Sequence, residues 1–328
     1  MSDFIYAFKF WTKTILFLIP RTWRFYKNRK RADELWNKFV PAKLTDLGAV
    51  KSLTIMPLSE FYTDSDALAS DCGPSLLIKA DDTTILFDVG FNREQVRPSP
   101  LLRNMRTLGV DIKDIKYIVI SHLHSDHVGG RRQAAERAFQ ISPEEPDLSQ
   151  IEEVFTPVPM HHPTAKQLTL VDKPHIIAPG VATEGTIGRA LYFLGFTLEQ
   201  ALAVNVEGKG IFLITGCGHQ GIRKMIERAE QIFDAPLYGI MGGLHYPVTH
   251  GRIITHGMDM QRHHGTGKPP WRRITKSDVY KDIDYLKTKN LAIVSLSAHD
   301  SCDWAINTFR EAFPGVYQEN AVGHEIKV

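Results

Sequence analysis

Ser121-His122-Leu123-His124-Ser125-Asp126-His127-Val128-Gly129-Gly130 follows directly on the β-rich run KYIVISH (116–122). Three imidazoles and a carboxylate within six residues, at the end of a buried strand, are poorly explained by packing. Residues i and i+2 of an extended turn can aim at one ion, while an Asp and a His further on can turn towards a second. Imidazole and carboxylate suit zinc, iron or manganese. A pair of ions about 3.5–4 Å apart can lower the pKa of a shared water and clamp both nucleophile and substrate oxygen. A polar turn with solvated histidines is the bland alternative, and it leaves the density of ligands unexplained.

Outward from this cluster the chain alternates short apolar runs with helical patterns. LTIMPL (53–58), SLLIKA (75–80) and TTILFDVG (83–90) read as strands, with a tight hairpin at 80–82. GIFLITG (210–216), LYGIMGG (237–243) and LAIVSLS (291–297) repeat one design, an apolar strand followed by small or polar residues. Helical patterns lie at about 99–109, 221–233, 277–289 and 301–313. Residues 246–275 form a long polar insertion with four histidines (His250, His256, His263, His264) and a Pro-Pro-Trp, and loops of that length are usually functional or disordered. Strands that each end in reactive side chains predict a layered α/β fold with its site along one sheet edge. The 328 residues, 43% hydrophobic and 23% charged, argue against global disorder, collagen-like repeats and a polytopic membrane protein. Three cysteines (Cys72, Cys217, Cys302) cannot build a disulfide framework, which favours a reducing compartment.

The His-x-His-x-Asp-His pattern of 122–127 resembles the motif of the metallo-β-lactamase fold superfamily, over about residues 50–328. The resemblance implies an αββα sandwich with a metal cleft at the sheet edges. Asp88 in LFDVG matches the strand-terminal Asp that braces the histidine loop by hydrogen bonds, and Gly129-Gly130 match the glycines that turn the chain out of it. In GIFLITGCGHQGI (210–222) Cys217 stands where the superfamily often has a metal-bridging Asp, and His219 follows two residues later. That stretch, with Gly242-Gly243-Leu244-His245 and the closing AVGHEIKV, resembles the 7,8-dihydropterin-6-methyl-4-(β-D-ribofuranosyl)-aminobenzene 5′-phosphate synthase branch. The branch's final His-Cys-Thr-Gly is here Ala298-His299-Asp300-Ser301-Cys302-Asp303, which keeps the histidine and displaces the cysteine.

Carried onto this chain, the resemblance implies one metal on His122, His124 and His219 and a second on Asp126, His127 and His299. Cys217 is either a bridging or ligating thiolate or a buried structural thiol. His245 is read as a ligand, an acid, a substrate grip or a hydrogen-bonded core histidine. No ligand is assigned in the 155–175 region, where His161-His162 are given a loop role. Gly185-Thr186-Ile187-Gly188-Arg189 is a candidate cradle for a substrate anion, Arg189 supplying the fork, against the alternative of a surface arginine. The insertion histidines, with Trp271, Arg272 and Arg273, are read as a lid and not as ligands.

These readings favour a metal-dependent hydrolase with two Zn²⁺ per chain, Mn²⁺ or Fe being the alternatives. A metal-activated water would attack an ester, thioester, lactone, phosphodiester or related anionic substrate, Asp126 orienting it and His245 donating a proton. A di-iron redox protein of the same fold and a pterin-phosphate synthase-like enzyme are the competing readings. Nucleic acid is not expected as a partner, because residues 41–328 carry 30 basic against 34 acidic residues.

Residues 1–40 differ in character, with nine Lys/Arg against three acids. Phe4 to Ile19 is apolar but for Lys9, Thr12, Lys13 and Thr14, and RTWRFYKNRKR follows Pro20. The basic cluster lies on the wrong side of the apolar run for a secretory signal, and the run is short for a span. An amphipathic helix in the plane of an anionic leaflet is therefore expected, Trp23, Phe25 and Tyr26 reinforcing contact, with a helix packed on the body or on a second subunit as the alternative. The chain then divides into a segment at 1–40 and a metal-cleft domain at 41–328, on the cytoplasmic side and peripherally membrane-associated. A small anionic or lipid-derived substrate fits that placement; the oligomeric state is left open.

Overall fold

Apolar runs that end in small or polar residues build two sheets in the computed structural model, which describes residues 2–328 apart from 145, 255, 256, 258, 260 and 264, with residues 2–17 described as helical backbone only. The first sheet takes β1 (Leu53–Ser59), β2 (Ser75–Ala80), β3 (Thr83–Phe87), β4 (Tyr117–Val119), β5 (Glu153–Thr156) and β6 (Leu168–Leu170) in sequence order. The second takes β7 (His175–Ala178), β8 (Val181–Leu191), β9 (Gly195–Val206), β10 (Gly210–Thr215), β11 (Leu237–Gly242) and β12 (Ile293–Leu296). The last strand, β13 (Ile326–Lys327), returns to pair with β1. Strands β1 to β3 form an antiparallel meander and β3 to β6 run parallel. In the second sheet β10, β11 and β12 run parallel and β7 to β10 antiparallel.

Three apolar layers hold the sheets and helices together. Ile55, Ile78, Phe87 and Val119 of the first sheet meet Val204, Phe212, Ile214 and Met241 of the second. Outside the second sheet lie α4 (Ile222–Ile232), α5 (Lys276–Lys287) and α6 (Asp303–Ala312), which bury Met225, Ile226, Val279, Ile283 and Phe309. Outside the first lies α2 (Pro100–Thr107), with Leu101, Leu102 and Met105. The short α3 (Arg131–Glu136) leads out of the histidine loop. This is the expected αββα sandwich. Residues 153–206 add five strands that the sequence reading did not assign, because polar residues at Thr183, Glu184, Glu199 and Gln200 interrupt their apolar pattern while being buried themselves.

The N-terminal segment forms the 37-residue helix α1 (Ser2–Lys38). Its second half packs on β8 and β9. Phe25 is buried with Ala190 and Tyr192, the Thr22 and Tyr192 hydroxyls are 2.7 Å apart, and the Arg31 guanidinium lies 4.2 Å from the Phe196 ring centre. Lys224 and Arg228 of α4 lie over Trp36, and Arg228 over Phe39. Phe25 is therefore not available to a membrane, as the sequence reading had it; the body has claimed that face. Trp23 and Tyr26 remain exposed, with Ile19 and Leu35. The side chains of Phe4, Phe8, Lys9, Trp11, Lys13 and Ile15, on which the amphipathic reading was built, lie outside the described residues. Among those described, no helix is long and apolar enough to cross a membrane. Truncation of a fully buried Phe costs about 3–5 kcal/mol. Phe25→Ala is accordingly expected to expose α1 to limited proteolysis while the 41–328 body stays resistant.

Candidate metal centre

Sequence places Asp88 at the end of β3 and Ser121 just past the parallel β4, so the two strand ends lie side by side. Asp88 adopts φ +60°. Its carboxylate accepts hydrogen bonds from the Ser121 N–H at 2.7 Å, the Ser121 hydroxyl at 2.6 Å and His127 Nδ1 at 2.7 Å. The histidine loop is thereby pinned to the neighbouring strand. Gly129, at φ +85°, lets the chain leave the loop, and a side chain there would collide with the Gln140 backbone.

The outer ring nitrogens of His122, His124, His127, His219 and His299 are held by the protein. Ser121 donates its proton to Asp88, so its oxygen accepts from His122 Nδ1 at 2.9 Å. Ser297 donates to Glu60 and accepts from His299 Nδ1 at 2.5 Å. His219 Nδ1 donates to the Gly265 carbonyl at 2.8 Å, and His124 Nε2 lies 3.2 Å from the Thr197 hydroxyl. What remains are lone pairs that point at one another. His124 Nδ1 sits 3.0 Å from His122 Nε2 and 3.1 Å from His219 Nε2. Cys217 Sγ sits 3.0 Å from His127 Nε2 and 3.3 Å from His299 Nε2, and Asp126 is 3.7 Å from His127 Nε2.

The electrostatics suit cations. Burial, reinforced by neighbouring imidazoles, pushes His122 and His219 well below the ordinary histidine value, which keeps them neutral and able to ligate. Burial would lower His127 too, but the Asp88 and Asp126 charges overcome it and lift its pKa to about 9. Burial, with the carboxylates around it, pushes the Cys217 thiol up. A thiolate at that position requires a cation beside it. Inward-facing imidazole nitrogens, a thiol and a carboxylate fit transition-metal ions of the zinc and iron type. Asp126, His127, Cys217 and His299 form one set of convergent ligand atoms, and His122, Cys217 and His219 another.

Every residue assigned to metal from the sequence is thus brought into one cluster, and Cys217 lies in both sets. His245 reaches the cluster as well, in a third set with Cys217 and Asp300. The sequence reading passed over Asp300, although it directly follows His299; its carboxylate also accepts the His245 N–H at 3.0 Å. Two further buried carboxylates were missed. Glu199 accepts the N–H groups of Cys217, Gly218 and His219 at 2.7–2.9 Å, and Glu60 anchors the His299 chain through Ser297. Burial raises the pKa of each to about 7. The available signal was an acid ending or interrupting an apolar strand, in LTIMPLSE and FTLEQALAV.

Other candidates lie elsewhere. His162 stacks on Phe139 at 4.6 Å, away from the cluster. His250 pairs with Asp303, and His263 Nδ1 donates to the Pro270 carbonyl. His256 and His264 lie outside the described residues, and Trp271, Arg272 and Arg273 are exposed. The insertion still reaches the centre, through Gly265 and through Gln261, whose amide donates to the His299 carbonyl at 2.7 Å. The candidate anion cradle 185–189 lies within β8, and of its residues Arg189 lines a cavity together with His219 and His245. Above the cluster opens a cavity of about 370 Å³ with Phe91, Leu123, Leu194 and Ile253 as apolar walls, Asp126 and His245 at its base and Arg131 as its cation.

Residues 73–147, which contain Asp88 and the whole histidine loop, match the family model described as the metallo-beta-lactamase superfamily. The segment that carries the histidine loop is thus similar to the metallo-β-lactamase superfamily. The chain is 26% identical over 242 residues to the 7,8-dihydropterin-6-methyl-4-(β-D-ribofuranosyl)-aminobenzene-5′-phosphate synthase of Methanocaldococcus jannaschii, covering 62% of this chain and 80% of that enzyme. Its fold matches a solved metal-dependent hydrolase of the β-lactamase superfamily with TM-score 0.56 and 18% identity, covering 84% of this chain and 99% of that one. It also matches the metallo-beta-lactamase fold protein YhfI of Bacillus subtilis with TM-score 0.50 and 11% identity, covering 85% and 100%.

Loss of a group that orients a metal ligand typically weakens metal affinity about 10–100-fold. Asp88→Asn is expected to fall in that range by chelator competition; an unchanged affinity would contradict the bracing role. His219→Ala and His299→Ala should each lower the metal bound per chain, and unchanged stoichiometry in both would overturn their assignment.

Proposed function

We propose that this protein is a metal-dependent hydrolase acting on an ester, phosphodiester or related anionic substrate, with zinc as its metal and two ions per chain. The observation that carries the reading is the set of histidines with anchored outer nitrogens and converging inner ones, beneath a cavity that has both apolar walls and a cation. His122, His124 and His219 would hold one ion, and Asp126, His127 and His299 the other, with Cys217 between them. Ions so held supply Lewis acidity towards water and a substrate oxygen. The chain's own residues do the rest. Asp126 lies at the cavity floor, where its carboxylate can orient water and take up its proton. His245, backed by Asp300, is positioned to hold a proton for the leaving group. Arg131 offers a donor fork to an anionic group, and Phe91, Leu123, Leu194 and Ile253 exclude bulk water from it.

One observation favours a second reading. The similarity to the pterin-phosphate synthase, with Cys217 and His219 in the centre, supports a synthase-like reaction on a phosphorylated heterocycle. The experiment is metal analysis of the purified protein followed by an activity screen on phosphodiesters, esters, lactones and thioesters, before and after chelation. Zinc content and turnover that vanishes with chelator and returns with Zn²⁺ are expected. Absence of turnover in every class would reject the hydrolase, and iron with a visible absorption band would favour a redox protein.

The exposed face of α1 supports a peripheral membrane placement for the enzyme. Ile19, Trp23 and Tyr26 recur at helical spacing with Lys27 and Lys30, opposite the docked face that carries Phe25. This combination suits the surface of an anionic membrane, peripheral and on the cytoplasmic side. Flotation with phosphatidylserine-containing vesicles is expected to carry the full chain, and Trp23→Ala with Lys27→Glu and Lys30→Glu should abolish it.

A further inference from the structure

His219 and His245 do not only face the apolar cavity. The same two rings also line a second cavity of about 360 Å³, richer in cations than the first. Arg189 of β8, Arg223 at the start of α4, Lys268 of the insertion and Lys281 of α5 line it, against Asp278 and Asp282. The two acids are engaged, Asp278 with Lys268 at 2.6 Å and Asp282 with Arg223 at 3.3 Å. Among the described residues no carboxylate lies within ion-pair distance of Arg189 or Lys281. The Arg189 Nε is buried with no hydrogen-bond partner, while its Nη2 donates to the Thr266 carbonyl at 3.3 Å.

Burying a guanidinium nitrogen without an acceptor is costly, and such a group is normally satisfied by an anion or by water. The helix supplies more donors. Its N-cap is Gly221, which offers no side chain to the first N–H groups of α4, and Gly221 and Ile222 line the same cavity. An uncapped helix start beside a guanidinium whose Nε lacks an acceptor offers donors to an anion by two independent features. Gly265, at φ +72°, shapes the partition, since any side chain there would run into the His245 ring.

We propose that this second cavity is a phosphomonoester subsite, which holds the phosphoryl group of a substrate whose body lies across the His219–His245 partition against the metal cluster. The proposal rests on the hydrolase reading for the meaning of the cluster, and it specifies the substrate class as a phosphorylated, partly apolar molecule. The phosphoryl group is here a handle and not the reacting centre: Arg189, Lys281 and the α4 N–H groups bind it, and no bond to phosphorus is made or broken.

Equilibrium binding of phenylphosphonate, a non-hydrolysable probe, tests this on the metal-loaded full chain by titration calorimetry, with metal content measured in parallel. Binding is expected for the wild type, weakened at least tenfold in Arg189→Met and partly restored in Arg189→Lys, with metal content unchanged. Lys281→Glu, on an exposed helix position, should weaken it comparably and serves if Arg189→Met does not fold. Benzyl alcohol should bind without sensitivity to either change. Absence of phosphonate binding, or binding equal in wild type and both variants because the metals alone hold the probe, would overturn the subsite. Because the assay needs no turnover, its failure is separable from that of the hydrolase reading, which the activity screen decides.

Discussion

The Asp88 carboxylate is the constraint on which the rest of the centre depends. Three hydrogen bonds of 2.6–2.7 Å tie it to Ser121 and His127, so one buried charge sets the position of a loop, the orientation of His127 and, through the Ser121 hydroxyl, that of His122. The parallel pairing of β3 and β4 makes the bond available, because it ends both strands on the same edge. The same device recurs across the cleft, where Glu60 at the end of β1 reaches His299 through Ser297. Glu199 performs a third version, gathering three successive N–H groups so that Cys217 and His219 face the cluster together. Three carboxylates buried away from the ligand atoms thus fix the ligand-bearing loops.

This arrangement leaves two sides of the cluster with different chemistry. One opens to a cavity with apolar walls and a single arginine, the other to a cavity lined by four cations and two paired acids. The insertion separates and shapes them, since Gly265 both accepts the His219 proton and lies against His245. A segment that reads as an aperiodic polar loop is therefore part of the centre. Its contribution comes through a carbonyl, a glycine and the Gln261 amide rather than through its histidines.

The N-terminal helix shows the same division of labour between faces. Phe25, Thr22 and Trp36 meet the body, while Ile19, Trp23 and Tyr26 face away from it. An aromatic run among arginines carries both signals at once, and composition alone does not say which aromatic goes to which side.

The sequence by itself marked the His-Leu-His-Ser-Asp-His loop after a buried strand and His219 and His299 as further candidates for its centre; the bracing Asp88 and the sandwich of two sheets followed from the resemblance, and Cys217 and His245 were left with structural alternatives. These were legible because they sit at strand ends, where an apolar run stops and a cluster of reactive side chains begins. Only the tertiary structure decided the carboxylates that orient them, the strands over 153–206 and the placement of Arg189 in a second cavity. Glu60 and Glu199 end or interrupt apolar strands and Asp300 follows His299, but the sequence does not say which backbone amides and hydroxyls they bind. Their roles arise from contacts made across 18 to 237 residues of chain, between elements that only the folded packing brings together.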